Sequence, residues 1–430
     1  MMADNQAIGL SPCATPGTVC VLGIDLGTTS VKAALVVETE QGHIVTQSCS
    51  RETQAQADSP AVGAQGMEQD VQRIIKALNE CLAAFPQEQL QRVSRIGISG
   101  QMHGVMFWKT NQGCKWTESG TGHTFQPGEV SHLITWQDGR CSSSFLSSLP
   151  QPQSHLSVAT GFGCATIYWY LKNSLRESGF PLDLLPEVGD PGGIAGRMPH
   201  DWHGIPKGAE VGIALGDFQC SVYSCMTERT DAVLNISTSA QLTVPMPLGF
   251  QPPETPDSLS AVAYFPYFDG NYLAVAASLN GGNVLATFVD MLACWMAELG
   301  YDVLESRVYT QMINAALAQN ATRLSVCPTV FGERHMPEQL ASVTSIAASE
   351  LSLGHVTRAL CHGIIQNLHS MLPFQHLKEA GVKRILGSGS ALSRNEVLKQ
   401  ELEKVFPLPV IYGKDVDAAV GAAMVMLHRR

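Results

Sequence analysis

The sequence predicts an α/β fold in two lobes with a cleft between them. Three observations carry this reading. Strand-like runs alternate with helix-periodic segments, the pattern starts afresh near residue 230, and 430 residues with 45% hydrophobic content can fill two cores of ordinary size. The lobes are expected at 18–228 and 229–430.

From Cys20 to Cys49 the runs VLGIDLGTTS, VKAALVV and GHIVTQSC are β-rich and separated by Gly, Thr and polar residues, as in a three-stranded antiparallel meander. GMEQDVQRIIKALNECLAAF then puts Val71, Ile74, Ile75, Leu78, Leu82 and Phe85 at helical spacing, with Pro86 as the stop. A strand follows at 95–100 (RIGISG). In the middle of the chain the apolar run VGIALGD ends at Asp217, and AVLNISTS at 232–239 opens the second lobe. YLAVAAS leads into the glycines of NGGN. HVTRALCHGIIQNLHSML carries Val356, Leu360, Ile364, Leu368 and Met371 on one helical face. RILGSGS is a strand breaking into a turn, Ser393 and Glu396 fit a capping box for the helix EVLKQELEKVF, and the chain closes with LPVIYG and the small-residue helix DAAVGAAMVML.

Composition excludes several functions. Lys plus Arg number 27 against 38 Asp plus Glu, a formal charge of −11, whereas a nucleic-acid binder needs a concentrated basic surface. No apolar run approaches the roughly 18 residues of a membrane span, and the start MMADNQAIGLSPCATPG has neither the basic residues nor the apolar core of a secretory signal, so it reads as a disordered leader. The 12 cysteines are scattered without a CxxC, with Cys220 and Cys225 the closest pair, as expected of reduced thiols in a cytoplasmic protein. The 13 histidines show no zinc spacing.

Six segments carry chemistry. Gly23-Ile24-Asp25-Leu26-Gly27-Thr28-Thr29-Ser30 is a strand delivering an acid into a turn of small hydroxyl residues, able to present N–H and O–H groups to phosphate while Asp25 holds Mg²⁺ through water. Gly-Thr-Thr is also an ordinary hairpin turn and Asp25 its capping acid, but an unpaired acid against an apolar strand is costly without a task. Ser99-Gly100-Gln101-Met102-His103-Gly104 mixes polar groups with one apolar contact, which suits a polyol. Thr135-Trp136-Gln137-Asp138-Gly139-Arg140 adds an aromatic plate, an acid and a base; taken alone, it also fits a core tryptophan beside a surface ion pair. Leu215-Gly216-Asp217-Phe218-Gln219 ends an apolar strand in an acid that is either an N-cap or a reactive group. Asn235-Ile236-Ser237-Thr238-Ser239 with Gln241 is a second strand-to-hydroxyl turn, and Gly387-Ser388-Gly389-Ser390 a small-residue turn open to close backbone approach.

The first segment resembles the phosphate motif of the actin-like ATPase superfamily of sugar kinases, actin and Hsp70 chaperones. The second and third are similar to sugar-binding segments of the FGGY carbohydrate kinases, in particular the xylulokinase-like branch, and the similarity continues through Phe331-Gly332-Glu333-Arg334 and Asp417-Ala418-Ala419-Val420-Gly421-Ala422-Ala423. The resemblance implies two ribonuclease H-like lobes and ATP-dependent phosphorylation of a ketose hydroxyl. It implies Asp217 as the general base and Gln101, Met102, His103, Trp136 and Asp138 around the sugar. Asp25, Gly27, Thr28, Thr29, Ser30, Lys32, Thr238, Ser239, Gly387, Ser388 and Gly389 are then assigned to the nucleotide, with Mg²⁺ at Asp25.

The chain departs from the family after GCATIYWYLKN, where it runs straight to SLRESGFPLDLLPE without roughly fifty residues of the first lobe, about a quarter of a lobe. That shortening raises the alternative of a non-catalytic form that keeps the family outline. A chaperone ATPase is a further alternative, which needs a peptide-binding module after the second lobe.

Overall fold

The computed structural model describes residues 19–40, 42–59, 66–119, 122–150, 152–175, 185–257, 259–413 and 416–428. The expected leader lies outside them, as do residues 176–184 next to the shortened stretch. The chain forms two compact units: Met1–Gln151, Val158–Ser224 and Asp417–Arg430 make the first, Pro152–Ser157 and Cys225–Val416 the second.

In unit 1, β1 (Cys20–Leu26), β2 (Ser30–Thr39) and β3 (Gly42–Glu52) form the expected antiparallel meander. β4 (Val93–Gly100) runs parallel to β1 on its other side, followed by β6 (Glu210–Gly212) and β5 (Ile194–Arg197), giving the order β5-β6-β4-β1-β2-β3. The run VGIALGD is not one strand. Val211 pairs Ile96 while Leu215 pairs Ser99, so the edge carries one residue more than β4 and bulges before β7 (Leu215–Gly216). Helix α1 (Val71–Ala83) covers one face with Ile74, Ala77, Leu78, Cys81 and Leu82 buried, and Phe85 is buried just past its end. The helix starts at Val71, the first residue of the helical pattern: Glu68–Gln69 pairs as a short strand, and Asp70 caps the helix through the Gln72 N–H.

The C-terminal helix Ala418–Leu427, expected with the second lobe, belongs to unit 1. Its small residues let it lie directly on the strands. A Cβ at Gly23 would sit 1.8 Å from the Ala419 carbonyl oxygen and one at Gly97 2.1 Å from that of Ala422. The expected boundary at 228/229 falls close to the break after Ser224, but the last residues return.

Unit 2 repeats the plan. β8 (Asp231–Ile236) and β9 (Ala240–Pro245) are antiparallel, β10 (Val262–Pro266) and β11 (Tyr272–Ser278) extend that side, and β12 (Arg384–Ser388) and β13 (Val410–Tyr412) run parallel to β8, in the order β10-β11-β9-β8-β12-β13. Helices α3 (Gly282–Glu298), α4 (Glu305–Leu317), α5 (Leu353–Met371) and α6 (Glu396–Val405) pack around the sheet, and α5 buries Leu360, Ile364, Leu368 and Met371 as its periodicity requires. The cap of α6 is Asn395, not Ser393: its Oδ1 accepts from Val397 and Leu398 N–H, while Ser393 lies inside the preceding turn of helix. Both units have the ribonuclease H-like arrangement, three antiparallel strands with the first parallel to the fourth.

Candidate active site

The parallel strands of unit 1 end together, the usual place for a site in an α/β sheet. Asp25 on β1 pairs across β4 with Ser99, and Ser99 pairs with Leu215 on β7, so Gly27–Ser30, Gln101–His103 and Asp217 all leave the same edge. Asp25 is 6% exposed, and its Oδ1 accepts from the Ser99 hydroxyl at 3.1 Å. Burial and the neighbouring Asp217 and Asp417 carboxylates push its pKa up to about 6, against the opposing pull of the Ser99 hydrogen bond and of Lys32, its cross-strand neighbour. Burial also raises Asp217, although its Oδ1 accepts from the Phe218 N–H at 2.7 Å at the start of α2 (Asp217–Cys225). The Cys220 thiol, desolvated and facing both acids, is pushed up to about 12. The site concentrates negative charge that one lysine does not balance.

The turn after β1 is pinned from within. The Thr28 carbonyl accepts from Gln69 Nε2 at 2.6 Å, that of Thr29 from the Thr53 N–H at 3.0 Å and that of Ser30 from the Gly27 N–H at 3.1 Å. With its carbonyls consumed, the turn has mainly N–H and hydroxyl groups to offer a ligand. Gln69 also accepts from Gln101 Nε2 at 3.0 Å, and Trp136 Nε1 donates to the Thr28 hydroxyl at 3.0 Å. One network therefore joins the phosphate-type turn to both polyol-type segments. Met102 abuts Gly216, where a Cβ would meet its sulfur at 3.0 Å. His103 takes a left-handed backbone (φ 66°) and stacks on Phe162 at 4.3 Å; partial burial lowers its pKa and keeps the ring neutral near pH 7.

The segment at 135–140 reverses the expectation of a core tryptophan beside a surface ion pair. Trp136 is 42% exposed, whereas Asp138 is 1% exposed and Arg140 6%. Asp138 accepts from Arg140 Nε at 2.7 Å, the Arg140 N–H and the Met67 N–H, and Arg140 also reaches Glu68 at 2.7 Å. Burial acts to raise the Asp138 pKa, and the Arg140 and Met67 hydrogen bonds overcome it to leave the carboxyl low. Both Asp138 oxygens are thus occupied within the chain. It anchors the segment.

In unit 2, β8 and β12 are parallel neighbours with Asn235 opposite Ser388, so the turns after them adjoin. Ser237 Oγ accepts from the Ser390 N–H at 3.3 Å. Thr238 is exposed and Ser239 partly so. Gly389 has φ 100°, and a Cβ there would lie 2.3 Å from the Ile236 carbonyl oxygen. The Gly387 position is filled by the Tyr412 ring, and Ser388 Oγ accepts from the Val416 N–H at 3.2 Å. The two glycines are thus already required by packing at the strand ends.

Sequence reasoning missed Gln69, Ser99 and the charge of Asp417. Gln69 sits in a segment whose neighbours continue a helical pattern, which hid it. Ser99 lies within SGQMHG and received no role there, because its place opposite Asp25 is set by strand register, which the sequence does not display.

The chain belongs to the FGGY family of carbohydrate kinases, whose members use ATP as a substrate. The N-terminal domain of that family matches residues 20–172, stopping one residue before the point at which the sequence departs from the pattern. The chain is 60% identical to sedoheptulokinase of Mus musculus, covering 95% of this chain and 97% of the relative, and 59% identical to that of Homo sapiens with the same coverage. The mouse alignment spans 462 positions, at least 32 more than the 430 residues available, so the relative carries segments opposite which this chain has none. Identity at that level over nearly both full lengths does not favour the alternative of a non-catalytic remnant. Xylulose kinase from Rhodospirillum rubrum has a similar structure, with a TM-score of 0.72 at 17% identity over 95% of this chain and 89% of that one. Among the described residues no helix is long and apolar enough to cross a membrane, and every cysteine is a free thiol.

Proposed function

We propose that this chain transfers the γ-phosphoryl group of MgATP to the terminal hydroxyl of a ketose, sedoheptulose above others, giving sedoheptulose 7-phosphate. The observation that carries the chemistry is the pair of carboxylates, buried Asp25 and half-buried Asp217, at the ends of the two parallel strands that flank β4, beside the hydroxyl-rich turn. The sugar assignment rests on the extent of identity to the two sedoheptulokinases. Cytoplasmic residence accords with free, exposed Cys114, Cys164 and Cys294.

Asp217 is the base. Its pKa, raised by burial, suits a carboxylate that must take a proton near neutral pH, and the Phe218 N–H fixes its orientation. Gln101, Met102, His103 and Trp136 receive the sugar: Gln101 and neutral His103 address hydroxyls, Met102 and the exposed Trp136 face the carbon chain. Asp138 supports them from beneath. Gly27, Thr28, Thr29, Ser30 and Lys32 take phosphate oxygens, and Thr238, Ser239 and the turn Gly387-Ser388-Gly389 take the nucleotide in unit 2.

The residues present suit Mg²⁺. Their donors are oxygens and the charge around Asp25 is uncompensated, which suits an ion that keeps water and phosphate oxygens and needs only one or two carboxylates. Asp25 would hold it, and there it would neutralise charge on the phosphoryl oxygens. Because phosphoryl transfer passes through a loose transition state, positioning by these turns contributes more than the base.

The test is ADP release with sedoheptulose, xylulose and glycerol side by side. The highest kcat/KM is expected with sedoheptulose; a higher value with xylulose or glycerol overturns the sugar assignment.

A further inference from the structure

We propose that Glu333 is a positioning residue for the second phosphate turn, acting through the loop 278–283. Glu333 is 1% exposed and makes no ion pair among the described residues, an unusual state for a carboxylate. Its acceptor sites are filled by neutral donors instead. Oε1 accepts from Ser278 Oγ at 2.5 Å, Asn280 Nδ2 at 2.9 Å and Asn367 Nδ2 at 2.7 Å, and Oε2 from the Leu279 N–H at 3.2 Å. Three of these four donors belong to consecutive residues at the end of β11. Asn280, fully buried, returns the grip by donating to the Gly332 carbonyl at 2.8 Å and accepting from the Phe331 N–H at 3.1 Å.

The next residues of the same loop reach the turn after β8. The Gly282 N–H donates to the Ser237 carbonyl at 2.7 Å, and the Asn283 N–H to the Thr238 carbonyl at 3.0 Å. Asn283 also accepts from the Gly281 N–H and donates to the Leu279 carbonyl, both at 2.8 Å, closing the loop on itself. The Ser239 carbonyl accepts from the Ser237 N–H at 2.9 Å. All three carbonyls of the turn are therefore held inside unit 2, which leaves exposed Thr238 and half-buried Ser239 to offer a ligand N–H and hydroxyl groups. A carboxylate is the side chain this needs, because it alone accepts from four donors and donates to none. The chain of contacts explains Phe331-Gly332-Glu333, to which the reaction assigns no other task.

This inference rests on the reading that Thr238 and Ser239 hold the nucleotide. The experiment measures KM for MgATP, KM for sedoheptulose and kcat in Glu333→Gln, Asn367→Ala, Thr238→Val and Glu401→Gln. The last is a control, since Glu401 is another buried carboxylate of unit 2, paired with Arg358 away from the turn. Glu333→Gln puts an N–H where an acceptor is required and should raise KM for MgATP roughly 5- to 50-fold, the loss of one or two charge-assisted hydrogen bonds, with sedoheptulose KM within about twofold. Asn367→Ala, which removes a single donor, should shift KM for MgATP the same way by a few-fold, and it serves if Glu333→Gln does not fold. Glu401→Gln should lower the melting temperature and leave both KM values alone. Equal shifts in both KM values, the same pattern in Glu401→Gln, or no shift while Thr238→Val raises KM for MgATP overturns the positioning role alone. No shift in Thr238→Val overturns the underlying nucleotide reading and the role of Glu333 with it.

Discussion

Replacing Asp25 with asparagine should make the ligand-free protein more stable at pH 8 while abolishing turnover. The Asp25 carboxyl titrates near pH 6 in the folded chain against an ordinary value of 3.8, so the folded state holds its proton more tightly than the unfolded chain does. The sign follows from that difference: below about pH 4 both states are protonated and nothing is lost, and as pH rises to 6 the folded state is progressively penalised for carrying the charge. The full penalty is about two pK units, or about 3 kcal/mol at 1.36 kcal/mol per unit. The asparagine side chain of Asp25→Asn carries no charge at any of these pH values and can still accept the Ser99 hydroxyl. For a unit of about 200 residues, 1 kcal/mol moves the melting temperature by about 2–4 °C, so the variant should melt roughly 6–12 °C higher at pH 8. The gap should shrink toward zero as pH falls to 4. Thermal melts by circular dichroism from pH 4 to 8 read this directly. Saturating MgADP should narrow the gap at pH 8, because it relieves the wild-type charge. Equal melting temperatures at pH 8, or a gap independent of pH, refute the claim that buried, unbalanced charge sits at Asp25.

Asp217→Asn should lower kcat by roughly 10² to 10⁴-fold, the span of a general base, with MgATP affinity by calorimetry within about twofold. Gln69→Leu removes the bonds to both Thr28 and Gln101 and should raise the KM values for MgATP and sugar together in steady-state assays. Trp136→Phe deletes only the bond to Thr28 and should raise sedoheptulose KM several-fold with little effect on melting. Gly97→Ala drives a methyl against the Ala422 carbonyl and should destabilise by roughly 1–3 kcal/mol, whereas Gly196→Ala, with open space around it, should melt like the wild type.

Much of the fold was legible because it is local. Alternation from Cys20 to Cys49 and helical spacing in α1 and α5 fix elements whose neighbours in sequence are neighbours in space. The return of Ala418–Leu427 to unit 1 was not, since it depends on Gly23 and Gly97 nearly four hundred and more than three hundred residues away, and a glycine in a strand does not name the helix that will cover it. The bulge before β7 depends on register with β4, which a one-dimensional apolar run conceals. At the site, Asp25 and Asp217 announced themselves as acids ending apolar strands. The burial of Asp138 was not legible for a physical reason: an acid beside an arginine reads the same whether the pair is exposed or buried, and the Met67 and Glu68 partners that enclose it are about seventy residues away in sequence. Gln69 and Glu333 act entirely through long-range hydrogen bonds, which leave no periodic trace.

The most direct test of the account is transfer of labelled γ-phosphate from ATP to sedoheptulose by this 430-residue chain, with Asp217→Asn measured in parallel at saturating MgATP. The account predicts labelled sedoheptulose phosphate from the wild type and at least a hundredfold less from the variant. A folded wild type that binds MgATP and labels no sugar, or a variant that labels it at the wild-type rate, contradicts it.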